Sequence, residues 1–377
     1  MALDLATGVT GPPARPPAPC LRSALLAPRP QAQAPAPWLP GAAVIPWGEQ
    51  PALLMAFAHE RELPQAALWA ACGVPPQAAG RPPAALSLLQ LAALLDAVRR
   101  GADAPDTAFV LGQQWLPGHY GLASHALQLA GDTGQALRLL CEHAGPLCPL
   151  LTPRLVACGS DVLLYWTPAI GQAGPLRAFL VDLHMSAVRA LCEWLGGEPL
   201  PWRYHFNRTA PRQREQHEVY LGAALEFGCH IDAMRLPASC LQRPWPRHRS
   251  LAAAATLSAL QQQPAGGRQG LLAALYAQLL TSLQQAPDAL GLAHSAQHFG
   301  VSSATLKRQL AQAGTSFQAE LDQVRSHAAL YLIHQHGWRN EALAQELGFH
   351  DRTNFRRAFK RWTGLTPEGL RTRWQGG

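Results

Sequence analysis

Apolar residues recur at i, i+3, i+4 and i+7 in Phe355, Ala358, Phe359 and Trp362, which places them on one face of a helix. One step round lie Thr353, Arg356, Arg357 and Lys360, with Arg352 and Asn354 at the helix start. Gly348 and Phe349 form a turn ahead of it, and Asp351 or His350 supplies the N-cap. The spacing therefore predicts a short helix, buried on one side, that offers Arg, Asn and Lys from the other. Arg can bridge two guanine acceptors, Asn can bridge adenine, and Lys or Arg can neutralise phosphate, so the set suits the DNA major groove. A solvated basic face is the competing reading of this helix taken alone.

The same pattern occurs upstream. Gly300-Val301-Ser302 reads as a turn, with Ser302 the N-cap of a helix over Ser303–Gln312. Leu306, Leu310 and Ala313 make its inward stripe, while Ala304, Lys307, Arg308 and Ala311 face out. A supporting helix is expected before each unit, at Leu292–Phe299 and Glu341–Leu347. Between them runs Phe317–His334, amphipathic through Leu321, Val324, Ala328 and Leu332. Two helix-turn-helix units on one stiff connector can enter successive major grooves about 34 Å apart on one side of the duplex.

Further upstream the periodicity is mixed. Helical spacing marks Gln50–Glu60, Gln65–Cys72, Leu86–Arg99, Thr107–Trp115, Gly131–His143, Leu176–Leu195 and Arg212–Leu221. Leu155–Cys158 and Val162–Thr167 read as strands joined across Gly159-Ser160-Asp161, with further strands at Trp202–Asn207 and within Gly228–Leu236. Residues 44–243 thus read as one α+β domain. Residues 1–43 are a Pro/Ala-rich stretch that cannot bury enough surface to order itself, hence a disordered tail; a start codon assigned too far upstream would give the same composition. Residues 244–267 form a linker with one Ala-rich helix, Leu251–Gln263, a spacer or a dimer contact. Residues 268–377 form an all-α domain opened by Leu271–Gln285.

Charge sharpens the picture at one end. The chain of 377 residues carries a formal +7, and Asp351–Gly377 alone holds seven basic against two acidic side chains, which suits a polyanionic partner. Its 8 cysteines are scattered without a C-x-x-C pair, so neither a disulfide framework nor a zinc pattern is indicated. With no basic-then-apolar leader and no apolar run approaching about 18 residues, the chain is expected to be soluble and cytoplasmic, away from any membrane. An enzyme is the competing class, but no G-x-S-x-G, H-E-x-x-H, P-loop or G-x-G-x-x-G occurs. No cofactor or metal is indicated.

GVSSATLKRQLAQAGTSFQAELDQVRSHAA followed by LGFHDRTNFRRAFKRWTGLTPEGLR resembles the DNA-binding domain of the AraC/XylS family of bacterial transcription regulators, over Asp288 to Arg373. The resemblance implies base or groove contacts from Ala304, Thr305, Lys307 and Arg308 in the first unit and from Arg352, Thr353, Asn354 and Arg357 in the second. It places Arg356 and Lys360 on phosphate. Ser295 and Asn340 stand where the family usually has an aliphatic residue. Since a buried unpaired polar group costs about 1–3 kcal/mol, each is expected to find a partner or to sit at a shifted helix start; Asn340 can itself serve as an N-cap.

The upstream segments FVLGQQWLPGHYGLASHALQLAGDTGQALRLLCEHAGPL and RAFLVDLHMSAVRALCEWLGGEPLPWRYHFNRTAP are similar to the non-cupin effector domain called arabinose-binding-like in one branch of that family. A small-molecule effector of unnamed identity is implied, as are a homodimer, double-stranded promoter DNA and RNA polymerase as partners. His119, Tyr120, His184, Arg189, Tyr204, His205, Trp115, Trp166 and Trp202 are of the right type to line a pocket, but each is as well explained as a packed or satisfied side chain. No ligand site is assigned. The alternative is a regulator whose N-terminal domain only dimerises or binds a protein.

Overall fold

A computed structural model describes residues 36–74, 82–171, 174–246, 250–262, 269–285 and 289–375. The first part is a mixed α/β body. Strand β1 (Ala43–Pro46) precedes helices α1 (Gln50–Glu60) and α2 (Gln65–Ala71) and pairs antiparallel with β2 (Ala85–Ser87). The apolar run that reads as one helix from Leu86 divides at Ser87, whose hydroxyl accepts from the Gln90 N–H while the Gln90 side chain accepts from the Ser87 N–H. This capping box starts α3 (Leu88–Ala102) only after a short strand. Next come α4 (Thr107–Trp115), α5 (Leu122–Gln128), α6 (Thr133–Glu142) and α7 (Ala144–Leu147).

Strands β3 (Leu151–Cys158) and β4 (Asp161–Pro168) form a hairpin in which Cys158 faces Asp161, so Asp161 belongs to the strand and not to the turn. After β4 the chain enters α8 (Pro175–Gly196), buried over most of its surface. It crosses α4 closely enough that a Cβ on Gly112 would lie 2.4 Å from the Leu183 carbonyl oxygen. Strand β5 (Arg203–Phe206), helix α9 (Glu215–Leu221) and strands β6 (Leu225–Phe227) and β7 (Ala233–Pro237) complete a five-stranded sheet ordered β3-β4-β7-β5-β6, with only β5–β6 parallel.

Both faces of this sheet are covered. On β4, Val162, Leu164 and Trp166 point into the core of the first body. The alternate residues Leu163 and Tyr165 pack with the core of the second, as do Val156 of β3 and Ala233 of β7. That is why DVLLYWTP reads as a nearly continuous apolar run.

The expected linker is partly docked. The buried Trp245 donates its backbone N–H to the Gly131 oxygen at 2.7 Å, and α10 (Ser250–Gln262) packs on α5 with Leu260 in the first core. A helix bound to its own domain is not a free spacer. Of the expected tail, residues 1–35 lie outside the described residues, but Trp38 pairs with Gly270 and so ties the chain to the start of the second body.

That second body is all helix: α11 (Leu271–Gln285), α12 (Leu292–His298), α13 (Ser303–Gln312), α14 (Phe317–His336), α15 (Asn340–Glu346), α16 (Arg352–Thr363) and α17 (Pro367–Gln375). Gly300 (φ 66°) and Gly348 (φ 68°) occupy the left-handed region in the turns α12–α13 and α15–α16, where a side chain would be strained. Among the described residues, no helix is long and apolar enough to cross a membrane.

Candidate nucleic-acid interface

Each turn is followed by a helix whose cap fixes its start. The Ser302 hydroxyl accepts from the Thr305 N–H at 3.1 Å, and the Thr305 hydroxyl bonds back to Ser302 at 2.9 Å. Leu306 and Leu310 anchor α13 in the core, leaving Ala304, Lys307, Arg308 and Ala311 exposed and Thr305 half-buried. In α16, Asp351 rather than His350 is the cap, accepting from the Asn354 N–H at 2.8 Å. Phe355 and Phe359 are 0% exposed, so Arg352, Thr353, Asn354, Arg356, Arg357 and Lys360 are all held on the outer side.

These outward groups are not equally free. Among the described residues, the side chains of Lys307, Arg308, Arg356, Arg357 and Lys360 make no ion pair or hydrogen bond. Arg352 is paired with Glu341 at 2.9 Å, a contact that holds the exposed Glu341 carboxyl below its ordinary pKa. The Asn354 amide donates to the Asp351 carboxylate at 2.7 Å, which leaves its oxygen and one N–H to spare.

The terminal basic cluster also divides. Arg361 reaches Asp322 on α14 at 2.7 Å, and Arg371 is turned inward onto the Trp338 carbonyl and the Asn340 side-chain oxygen. Those two cations brace the domain instead of extending its outer charge. Asn340 is the first residue of α15 and not its cap, which is Arg339; its amide donates to Glu368 at 2.5 Å. Ser295, wholly buried, donates to Gln278 Oε1 at 2.8 Å, and Gln278 Nε2 donates to the Ser282 hydroxyl at 3.0 Å. Both departures from the aliphatic pattern are thus satisfied by partners on other helices.

The connector α14 has 20 residues, a rise of about 30 Å, close to one turn of duplex. Its inner face meets the sheet of the first body. Arg154 on β3 donates to the Ala273 oxygen at 3.1 Å and lies 3.9 Å from the Tyr276 ring centroid. The hydroxyls of Tyr165 and Tyr276 are 3.2 Å apart, and Tyr276 Oη lies 2.9 Å from His327 Nδ1. His327 is therefore an interface residue between the two bodies. Burial, aided by the Arg177 and Arg154 charges, pushes its pKa down to about 3, so the ring is neutral where it meets the Tyr276 hydroxyl. Gly171, in the loop after β4, donates its N–H to the Ala313 oxygen at 2.5 Å, fastening the first body to the α13–α14 turn.

Among the described residues, the effector-domain candidates line neither of the two open clefts beside Gly171. Tyr120 and Trp115 are satisfied by backbone carbonyls, Arg189 is held by Glu193 and the Tyr220 oxygen, and His119 is exposed. His184 donates Nδ1–H to Leu180 at 2.7 Å, and burial pushes its pKa down to about 4. His184 Nε2, Trp166 Nε1, Trp202 Nε1 and the Tyr204 hydroxyl are buried without a hydrogen-bond partner among the described residues. Two open clefts flank Gly171: about 330 Å³ against Gly314, Thr315 and Glu320, and about 390 Å³ against Asp96, Arg99 and Leu176.

Residues 63–245 match the family described as the arabinose-binding domain of AraC transcription regulator, N-terminal, and residues 295–373 match a helix-turn-helix domain. The chain is 28% identical to the ornithine utilization regulator of Pseudomonas aeruginosa, over 84% of this chain and 94% of that one. It is 25% identical to an uncharacterized HTH-type transcriptional regulator of Mycobacterium bovis, over 84% and 93%. The crystal structure of the regulator CdpR from Pseudomonas aeruginosa aligns at 23% identity and a TM-score of 0.40, over 86% of this chain and 98% of that one. With the paired helix-turn-helix units, the two domain matches and the relationship to the ornithine utilization regulator identify the chain as an AraC-type transcription regulator, with an arabinose-binding-like ligand-binding domain ahead of a helix-turn-helix DNA-binding domain.

Proposed function

We propose that α13 and α16 enter successive major grooves of one promoter duplex. In the first unit Ala304, Thr305, Lys307 and Arg308 face the bases; in the second Arg352, Thr353, Asn354 and Arg357 do so, with Arg356 and Lys360 on phosphate. The observation that carries this is the set of five cations without partners among the described residues, on the outer sides of two capped helices joined by a 20-residue helix. Arg352 joins the set by exchanging Glu341 for DNA, an exposed pair that costs little to open.

The protein acts as a homodimeric cytoplasmic regulator, not a catalyst: occupancy of residues 44–243 by a small-molecule effector alters how the DNA-binding domains meet paired half-sites, and so their access to RNA polymerase. The relative named for ornithine utilization makes ornithine the first effector to assay. Footprinting followed by a base-substitution scan of the protected site tests the DNA reading. Arg308→Ala and Arg357→Ala should each lose about 1–3 kcal/mol at one base position and relax specificity there. An Arg357→Ala protein with an unchanged footprint and base preference would show that α16 is oriented differently. A thermal-shift screen tests the effector, since a true ligand stabilises by RT ln(1 + [L]/Kd).

A further inference from the structure

At the free edge of the five-stranded sheet, parallel pairing of β5 and β6 sets His205 directly against Glu226, so both side chains emerge on one face. His205 Nδ1 lies 3.1 Å from Glu226 Oε2. Just beyond β6, Gly228 (φ 73°) turns the chain back, and the Cys229 N–H bonds the Phe206 oxygen at 3.0 Å. That turn brings Cys229 Sγ to 3.7 Å from His205 Nδ1, and the three ligand atoms all lie within 4.8 Å of one another. Cys229 is in no disulfide.

We propose that His205, Glu226 and Cys229 form a binding site for a single divalent cation of the zinc class. A tetrahedral ion with ordinary metal–nitrogen, metal–oxygen and metal–sulfur bonds holds its ligand atoms roughly 3.3–3.6 Å apart. The two His205 separations already bracket that range. Imidazole, carboxylate and thiolate are the donors such ions select, and calcium or magnesium would not choose this set. Glu226 is 66% exposed, which leaves the fourth position to water. On binding, Cys229 gives up its thiol proton to solvent as the sulfur–metal bond forms.

The Cys229 thiol also meets the Glu226 backbone oxygen at 3.5 Å, so the sulfur lies against both members of the cross-strand His205–Glu226 pair. The C-x-x-C spacing by which zinc sites are found in sequence is absent because the sheet, not a local loop, assembles this one. Its position also matters. The segment that the metal would fasten continues into Ile231 and Ala233, which pack with the core of the DNA-binding domain. Asp232 between them accepts from the Asn207 N–H at 2.8 Å and pairs with Arg177 at 3.0 Å.

The test is titration of the full-length, tag-free protein with Co²⁺, then Zn²⁺, against a chromophoric chelator. A single equivalent should bind, with a thiolate-to-cobalt charge-transfer band. Cys229→Ser should abolish the band, and His205→Ala or Glu226→Gln should weaken binding by at least about tenfold. If Cys229→Ser fails to fold, as judged by circular dichroism, Cys229→Ala and His205→Asn give the same reading. Absence of the band in the wild-type protein would overturn the proposal, and so would a band and stoichiometry that survive loss of the Cys229 sulfur. DNA binding measured in parallel is a separate readout and does not decide the metal site.

Discussion

Gly171→Ala isolates the contact between effector domain and DNA-binding domain without touching either DNA helix. A Cβ at Gly171 would lie 2.4 Å from the Gly314 oxygen, 2.7 Å from its carbonyl carbon and 2.8 Å from the Ala313 oxygen. All three are backbone atoms, so no rotamer relieves the clash. Ordinary contact begins at 3.4 Å, and the two segments must part by about 1 Å. That displacement breaks the bond from the Gly171 N–H to the Ala313 oxygen. The lost bond and the overpacking together should weaken this junction by about 2–4 kcal/mol. Hydrogen exchange reads the effect directly. Gly171 and its neighbours should exchange about 30- to 900-fold faster, while amides at the core of α8 keep their protection. Exchange at Gly171 equal to wild type would mean that the two domains do not meet there in solution.

Ser295→Val leaves Gln278 Oε1 buried without its donor and should cost about 1–3 kcal/mol in urea unfolding; adding Gln278→Leu should recover part of that, and a neutral single variant would contradict the bond. His184 and His327 are held neutral, with folded pKa values of about 4 and about 3 against an ordinary 6.5. Below pH 6.5 the unfolded chain binds more protons, so stability is complete above that pH and falls as it drops, by at most about 1.4 kcal/mol per unit for each ring. His184→Gln and His327→Gln should each flatten the slope of urea midpoints between roughly pH 6.5 and 4.5; an unchanged slope in both would refute the assignment. Lys360→Ala should weaken DNA binding evenly across sequences and reduce the salt slope by roughly one, whereas a sequence-dependent loss would place Lys360 on a base.

What the sequence could reveal depended on the range of the interaction. Helix α4 is read to the residue at Thr107–Trp115, and the Ser302 and Asp351 caps follow from a side chain and a backbone only a few residues apart. Local competition already blurred the start of α3, because apolar spacing continues through Leu86 and Ser87 while the capping box decides where the helix begins. Asp161 looks like a turn residue by type, yet Arg235 on β7 holds it in the strand at 2.5 Å. The domain contact was beyond local reading. Arg154, Tyr165 and Gly171 meet partners more than a hundred residues away, and only the unbroken apolar run of β4 signals that both sides of the sheet are covered. His205, Glu226 and Cys229 form no motif until β5 and β6 pair.

The decisive measurement is fluorescence-anisotropy titration of the full-length protein onto duplex DNA from upstream of its own gene, beside a scrambled duplex, at several salt concentrations. The upstream fragment should bind at least about a thousandfold tighter at physiological salt, and Arg308→Ala/Arg357→Ala should erase most of that difference. Equal affinity for both duplexes, or a double variant indistinguishable from wild type, would contradict groove reading by α13 and α16.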